Sequence, residues 1–292
     1  MKIDFFEESV RCARVACKYF CTCDVKLLRV NNSLGKFSPM TKIISVINQK
    51  GGVGKTTTAI NLSCGLAMAG HKVLLIDLDP QGHSTIGLGM VDSCELTIRD
   101  VLQHGKPIDT VVYATEVEGV DLVGANIHLN KASNLLINEH FREAKLKNAL
   151  EKIADNYHFI IIDCHPSLGI LEINALYACN FILVPTDTGR YSLEGFADLI
   201  DTIRSVKGEE NHIRDYLRIL VTIYDSREKG INEWLEEQLE EFKDVVLTTK
   251  IRKITAIKQA QIAEVPIMVY DPKSEGTKDY QALTEELLTI WQ

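Results

Sequence analysis

Residues Lys42 to Thr58 read KIISVINQKGGVGKTTT, and the reading of this stretch decides the fold. Its first half, with Ile43, Ile44, Val46 and Ile47, is a short run of β-branched apolar residues. That is the pattern of a strand buried on both faces. Its second half is a turn holding Gly51, Gly52 and Gly54 and ending in Lys55, Thr56 and Thr57. Helix-period residues follow at Ala59, Ile60, Leu62 and Leu66. Strand, glycine turn, Lys-Thr and helix together form the context in which such a string binds phosphate.

Each residue type has a physical reason. Glycines let the backbone close around a phosphate and aim successive N–H groups at it. The N-terminus of the following helix adds partial positive charge at the same place. In the loop from Lys50 through Gly51, Gly52, Val53 and Gly54 to Thr57, Lys55 would reach the β- and γ-phosphates of a nucleotide. The Thr56 hydroxyl would be a ligand of Mg²⁺. The common pattern G-x-x-x-x-G-K-[ST] puts its first glycine where this chain has Gln49, and a second lysine, Lys50, precedes the glycines. The bland alternative, a glycine turn with surface lysines, leaves the flanking strand and helix unexplained.

Working outward, 292 residues with 46% hydrophobic and 25% charged content describe a chain able to bury a core. No stretch approaches the roughly 18 apolar residues of a membrane span. Asp4, Glu7 and Glu8 precede any apolar run, unlike a secretory signal. The eight cysteines lack paired metal-type spacing and read as free thiols, so a reducing cytoplasm is expected. Residues 1–39 carry seven Lys/Arg and four Asp/Glu, net +3, which leaves −11 for the rest of a chain of net charge −8. Any DNA contact must therefore come from a local patch. Those first 39 residues hold Cys12, Cys17, Cys21 and Cys23 and look foreign to the remainder of the chain. They read as a leader, loosely attached or an over-long start, with Met40 as the true beginning and 40–292 as one domain.

From Met40 the elements alternate. Expected strands are Val73–Asp77, Val120–Val123, Phe159–Asp163, Phe181–Pro185, Leu217–Tyr224, Val245–Ile251 and Ile267–Tyr270. Expected helices are Thr57–Ala69, Thr97–Leu102, Lys131–Ala154, Gly169–Cys179, Ser192–Val206, Ile231–Phe242, Ala256–Ala263 and Lys278–Ile290. The long Lys131–Ala154 helix would bury Leu135, Leu136, Phe141, Leu146 and Leu150. The alternation predicts an α/β fold, a mostly parallel sheet with helices on both faces, of the P-loop NTPase kind.

A parallel sheet places its ligands at strand ends, and two further stretches end strands there. After VLLID comes Asp79-Pro80-Gln81, whose carboxylate could orient a water for attack on a γ-phosphate. After FIIID, Asp163 has the place of an acidic residue that holds Mg²⁺. Either aspartate alone could be a turn or cap residue; their occurrence together with the phosphate loop argues against that.

The K-G-G-x-G-K-T-T form resembles the deviant Walker A motif of the ParA/MinD ATPase superfamily. DLDPQG, D-C-x-P-S-L-G, I-N-A-L at Ile173–Leu176, S-L-E-G at Ser192–Gly195 and Y-D-P-K-S-E-G at Tyr270–Gly276 narrow the resemblance to partitioning ATPases of the ParA/Soj type. It runs from about Met40 to the C-terminus. It implies that Lys50 is the signature lysine, reaching a partner's nucleotide across a dimer interface, and Lys55 the loop lysine. Thr56 would bind Mg²⁺, Asp79 would be the catalytic switch carboxylate, and Asp163 the Walker B residue. Arg227 matches a family arginine that helps bind DNA. His165 stands where the family usually has proline; it could alter the stiffness of the switch, and a tolerated substitution is the expectation. Ala256 stands for an arginine of the family's C-terminal motif, which leaves DNA affinity less secure than nucleotide binding.

What the resemblance implies is an ATP-hydrolysing switch for chromosome or plasmid partitioning. ATP would join two subunits, the homodimer would bind DNA without sequence preference, and a ParB-like centromere-binding partner would speed hydrolysis. Its expected place is the cytoplasm, on the nucleoid and not the membrane. Lys250, Arg252, Lys253 and Lys258 sit in a nine-residue stretch without an acidic residue and, with Arg227, form the candidate DNA patch. Solvated lysines are the plain alternative. The rival function is a MinD-like membrane-associated positioning ATPase, against which the acidic C-terminal stretch Glu285–Gln292 counts. An iron–sulfur carrier would need companions for Cys164 and Cys179 that the sequence lacks.

Overall fold

A computed structural model of the chain describes residues 41–189, 195–208 and 213–291. The expected leader, residues 1–39, lies outside the described residues, as do Ser192, Leu193 and Glu194 of the S-L-E-G stretch.

The strands are β1 (Lys42–Val46), β2 (Val73–Leu78), β3 (Tyr113–Ala114), β4 (Val120–Val123), β5 (Phe159–Cys164), β6 (Phe181–Thr186), β7 (Leu217–Tyr224) and β8 (Val246–Arg252). Among the described residues they form one sheet in the order β3-β4-β2-β5-β1-β6-β7-β8. Every neighbouring pair is parallel except the short β3, which runs antiparallel to β4. The first helices in the chain are α1 (Lys55–Met68), α2 (His83–Gly87) and α3 (Ile98–His104), followed by α4 (Leu129–Leu136), α5 (Lys145–Leu150) and α6 (Ile170–Ala178). The later ones are α7 (Phe196–Lys207), α8 (Ile213–Tyr216), α9 (Lys229–Gln238), α10 (Thr255–Ile262), α11 (Ile267–Tyr270) and α12 (Glu275–Ile290).

The central strands are apolar on both faces because both are covered. Ile160 and Ile162 of β5 join Leu74, Ile76 and Val184 in one core, roofed by residues of α3 to α7. Phe159 and Ile161 alternate to the other side, where they meet Leu62 and Leu66 of α1 and Tyr280, Leu283 and Leu287 of α12. Each such side chain stabilises the fold by roughly 1.5–3 kcal/mol through burial. Helices α1 and α12 approach closely at Gly65, where a Cβ would fall 2.2 Å from Thr284 Oγ1. On the exposed edge, the Glu286 carboxylate of α12 accepts the Thr248 and Thr249 N–H groups of β8, which removes free strand donors.

Three expected elements differ. Ile267–Tyr270 is a helical turn rather than a strand, entered through Pro266, whose carbonyl accepts the Tyr270 N–H at 2.9 Å. Its four apolar residues divide by helical turn, Ile267 and Met268 buried and Val269 and Tyr270 not, so an apolar run was a helix. The long Lys131–Ala154 helix is broken into α4, a 3₁₀ turn at Arg142–Ala144, α5 and another 3₁₀ turn at Ala154–Asn156. Phe141, at φ 52°, turns the chain there, and it and Leu135 are exposed while Leu136, Leu146 and Leu150 are buried. The helix expected over Ile231–Phe242 ends at Gln238 and passes into a 3₁₀ turn at Glu240–Phe242.

Candidate active site

The order β2-β5-β1 at the centre of the sheet sets three strand ends side by side. From them emerge the Asp79 loop, the Asp163 end and the glycine loop. This is the end at which parallel sheets bind ligands.

The glycine loop is tied down at its base and open at its tip. Asn48 is buried, donates to the Pro185 carbonyl at 2.8 Å and accepts the Lys50 N–H at 3.0 Å. Thr222 of β7 donates its hydroxyl to the Val53 carbonyl at 2.8 Å. Gly52 and Gly54 have φ of 80° and 83°, a left-handed backbone that other residues adopt at a cost. A Cβ at Gly51 or Gly52 would meet nothing within 4 Å, so their surroundings are free to receive a ligand. Lys55, the first residue of α1, is buried and donates to the Lys50 carbonyl at 2.8 Å. Burial lowers its pKa, while Asp163 and Asp79 oppose that shift. Thr57 accepts from the Gln261 amide at 2.6 Å, and a groove of about 300 Å³ opens beside Thr56 and Thr57 towards His83 and Ile86.

The acidic side of the site is fixed by strand register. Asp77 of β2 pairs with Asp163 of β5, and both are fully buried. Burial, and secondly the charge of Asp77, raises the Asp163 carboxyl above its ordinary pKa, and Thr56 and Ser84 oppose the rise. Ser84 donates to Asp163 Oδ2 at 2.8 Å, whereas Oδ1 is buried without a hydrogen-bond partner. A buried carboxylate oxygen without a donor is costly unless a cation joins it. Thr56, Asp163 and the loop therefore suit a hard cation held with a phosphate chain.

Asp77 was not singled out in the sequence, yet it shapes the Asp79 loop. Its Oδ2 accepts the Thr85 N–H and hydroxyl, each at 2.8 Å, and its Oδ1 accepts the Asp79 N–H at 3.2 Å. Asp79 is nearly buried, and its Oδ1 accepts the Gln81 N–H at 2.8 Å. The alternation of strand residues in VLLIDLD was the available signal, since Asp77 lies inside the strand.

Lys50 lies at the rim. Its ammonium reaches the carboxylate of Asp187, which follows β6, at 2.9 Å.

The candidate DNA residues separate. The ends of β7 and β8 bring Arg227, Lys250 and Lys253 into one region, with the Lys253 N–H donating to the Tyr224 carbonyl at 3.0 Å. Arg227 is exposed and pairs with Asp225, whose carboxyl it holds well below the usual range. Lys250 pairs with Glu236 at 3.0 Å and lies over the Tyr224 ring. Arg252 instead turns to α12, where Asp279 and Glu275 hold it. Lys253 and Lys258 are exposed.

A glycine loop opening a helix, beside two carboxylate-bearing ends of a parallel sheet, defines a phosphate-loop nucleotide-binding protein. Residues 41–218 match the AAA domain family. The chain is 41% identical over 249 residues to the sporulation initiation inhibitor protein Soj of Bacillus subtilis, covering 85% of this chain and 98% of that one. It is 40% identical over 248 residues to the chromosome partitioning protein ParA of Myxococcus xanthus, covering 85% and 88%. Among solved structures it is similar to cobyrinic acid a,c-diamide synthase of Mycobacterium smegmatis with bound ADP and magnesium. That match has a TM-score of 0.74 and 33% identity, over 86% of this chain and 96% of the other. The cell division ATPase MinD of Pyrococcus furiosus matches with a TM-score of 0.70 and 25% identity, over 86% and 100%. The chain belongs to the Soj/ParA family of chromosome-partitioning ATPases.

Proposed function

We propose that this chain is a Mg²⁺-dependent ATPase that works as a partitioning switch for a chromosome or plasmid. The observation that carries the reading is the convergence of the glycine loop, Asp79 and the unpartnered Asp163 oxygen on three adjacent strand ends. Backbone N–H groups from Gly51 to Thr57 and the Lys55 ammonium would bind the phosphates, and Thr56 and Asp163 would hold the metal. Mg²⁺, when bound, neutralises charge on the β- and γ-phosphates. Asp79 positions the attacking water. Lys50 reaches the nucleotide of a second subunit, so ATP joins two chains into a dimer.

The dimer then binds DNA through Arg227, Lys250, Lys253 and Lys258, with phosphate contacts that carry no sequence information. A ParB-like protein speeds hydrolysis and release, and the cycle runs in the cytoplasm on the nucleoid. The fold shared with MinD makes membrane positioning the second reading. Against it, α12 turns Tyr280, Leu283 and Leu287 into the core, so these side chains are not offered to a bilayer. The test is sedimentation and random-sequence DNA retention with ATP, ADP or no nucleotide. Dimerisation and retention with ATP alone support the switch; retention on anionic vesicles in place of DNA would favour membrane positioning.

A further inference from the structure

His165 lies in the turn between β5 and α6 and has no part in the roles assigned above. Its Nε2 is 4.0 Å from Asp79 Oδ1, with the imidazole side chain 34% exposed and that of Asp79 only 7%. Its Nδ1 is 3.2 Å from Ser167 Oγ. The Ser167 hydroxyl donates to Glu172 Oε2 at 2.9 Å, and the Gly169 N–H donates to the same oxygen at 2.8 Å. Glu172 is buried in the first turn of α6.

These contacts give the chain of hydrogen bonds a direction. The ionised Glu172 carboxylate is acceptor-only, so the Gly169 N–H and the Ser167 hydroxyl both donate to its Oε2 and the Ser167 proton points at it. Ser167 has one proton, so its oxygen accepts from His165. The proton of the neutral ring is then on Nδ1, and Nε2 keeps a lone pair. Nε2 and Asp79 Oδ1 are two acceptors across a gap too long for a direct bond. A water donating one proton to each would span that gap. With hydrogen bonds of about 2.8 Å, a 4.0 Å separation subtends roughly 90° at the water oxygen, close to its own bond angle.

We propose that His165 is a water-positioning residue for ATP hydrolysis: with Asp79 it holds the attacking water by its two protons, and Ser167 and Glu172 set the tautomer that allows it. The water oxygen is left with its lone pairs free. It forms a bond to the γ-phosphorus as the bond from that phosphorus to the bridging oxygen breaks. The electron pair leaves with ADP, and both water protons finish on the phosphate product. This assignment rests on the ATPase reading above.

The test begins without nucleotide, by ¹⁵N NMR of the histidine-labelled full chain, with H165Q used to assign the signal. Protonated Nδ1 and bare Nε2 are expected at His165, with that preference lost in S167A. Turnover and Mg–ATP affinity are then measured for H165A and H165Q. H165A should lose roughly tenfold in kcat, about the loss of one oriented hydrogen bond, with affinity unchanged. H165Q, whose carbonyl can accept, should recover part of it. A proton on Nε2 in the wild type overturns the assignment. So does H165A with wild-type kcat, or with affinity lost as far as turnover. If the wild type itself binds no Mg–ATP, the ATPase reading falls first, and the wild-type measurement alone reveals it.

Discussion

The Lys50 ammonium donates to both carboxylate oxygens of Asp187 in its own chain, at 2.9 and 3.0 Å. The lysine expected to cross a dimer interface is therefore engaged within one subunit. Both side chains are partly exposed, and such pairs contribute about 0.2–1 kcal/mol. Asp187→Asn should thus lower the ATP concentration needed for dimerisation by about 1.4-fold to fivefold. Sedimentation through an ATP titration measures it. A midpoint that stays put or rises would remove Asp187 from the switch.

Binding and chemistry should separate between Lys55 and Asp79. Lys55→Ala removes the main counter-charge for the phosphates and should abolish measurable nucleotide binding. Asp79→Ala should bind ATP as the wild type does, lose hydrolysis by about 10²-fold through misplacement of the water, and accumulate as dimer. Calorimetric binding and phosphate release decide between them, and an Asp79→Ala protein with ordinary turnover contradicts the role given to Asp79.

Asp77 should make stability depend on pH in an unusual direction. Burial pushes its carboxyl up to about 6 despite three donors, with the Asp79 charge adding to the rise. The folded chain then holds a proton that the unfolded chain releases near pH 4, so this group's contribution falls as pH rises from about 4 through 6. Unfolding free energies of wild type and Asp77→Asn, measured from pH 4.5 to 7.5 without nucleotide, isolate it. The difference, wild type minus variant, should shrink as pH rises; growth with pH would reverse the assignment.

Two arginines of the basic patch should behave differently. Arg252→Ala removes the guanidinium from Asp279, which is only 9% exposed and keeps just the backbone N–H of residue 252 as donor, and should destabilise the fold by about 1.5–3 kcal/mol. Replacing Arg227, Lys253 and Lys258 by alanine should leave the melting temperature unchanged while DNA retention fails. The slope of log affinity against log salt should drop by roughly 0.9 for each DNA phosphate no longer neutralised. A triple variant that holds DNA as the wild type does at equal salt places the patch elsewhere.

Much of this was legible because the governing signals are local. Glycines followed by Lys55 and Thr56 set the loop, and Ile160 to Ile162 need both sheet faces covered whatever lies elsewhere. Ile267–Tyr270 misled because four apolar residues are too few to separate a period of 2 from 3.6, and Pro266 outweighed them. Lys131–Ala154 misled because apolar spacing persists through the turn at Phe141, which points to solvent. The partners of Lys50, Arg252 and His165 were beyond reach. Asp187 and Asp279 are 137 and 27 residues from theirs; the strand order brings in the first, and the packing of α12 beside β8 the second.

Asp77, Asp79 and Asp163 act on one another electrostatically, and Lys55 is the cation that feels both Asp79 and Asp163. Burial and mutual repulsion raise Asp77 and Asp163 above the ordinary carboxylate range, so part of this acidic cluster holds its proton when the site is empty of cations. A divalent ion held by Asp163 would need the ionised carboxylate and would displace that proton. Loading of the site with a metal–nucleotide complex should therefore release a proton to solvent.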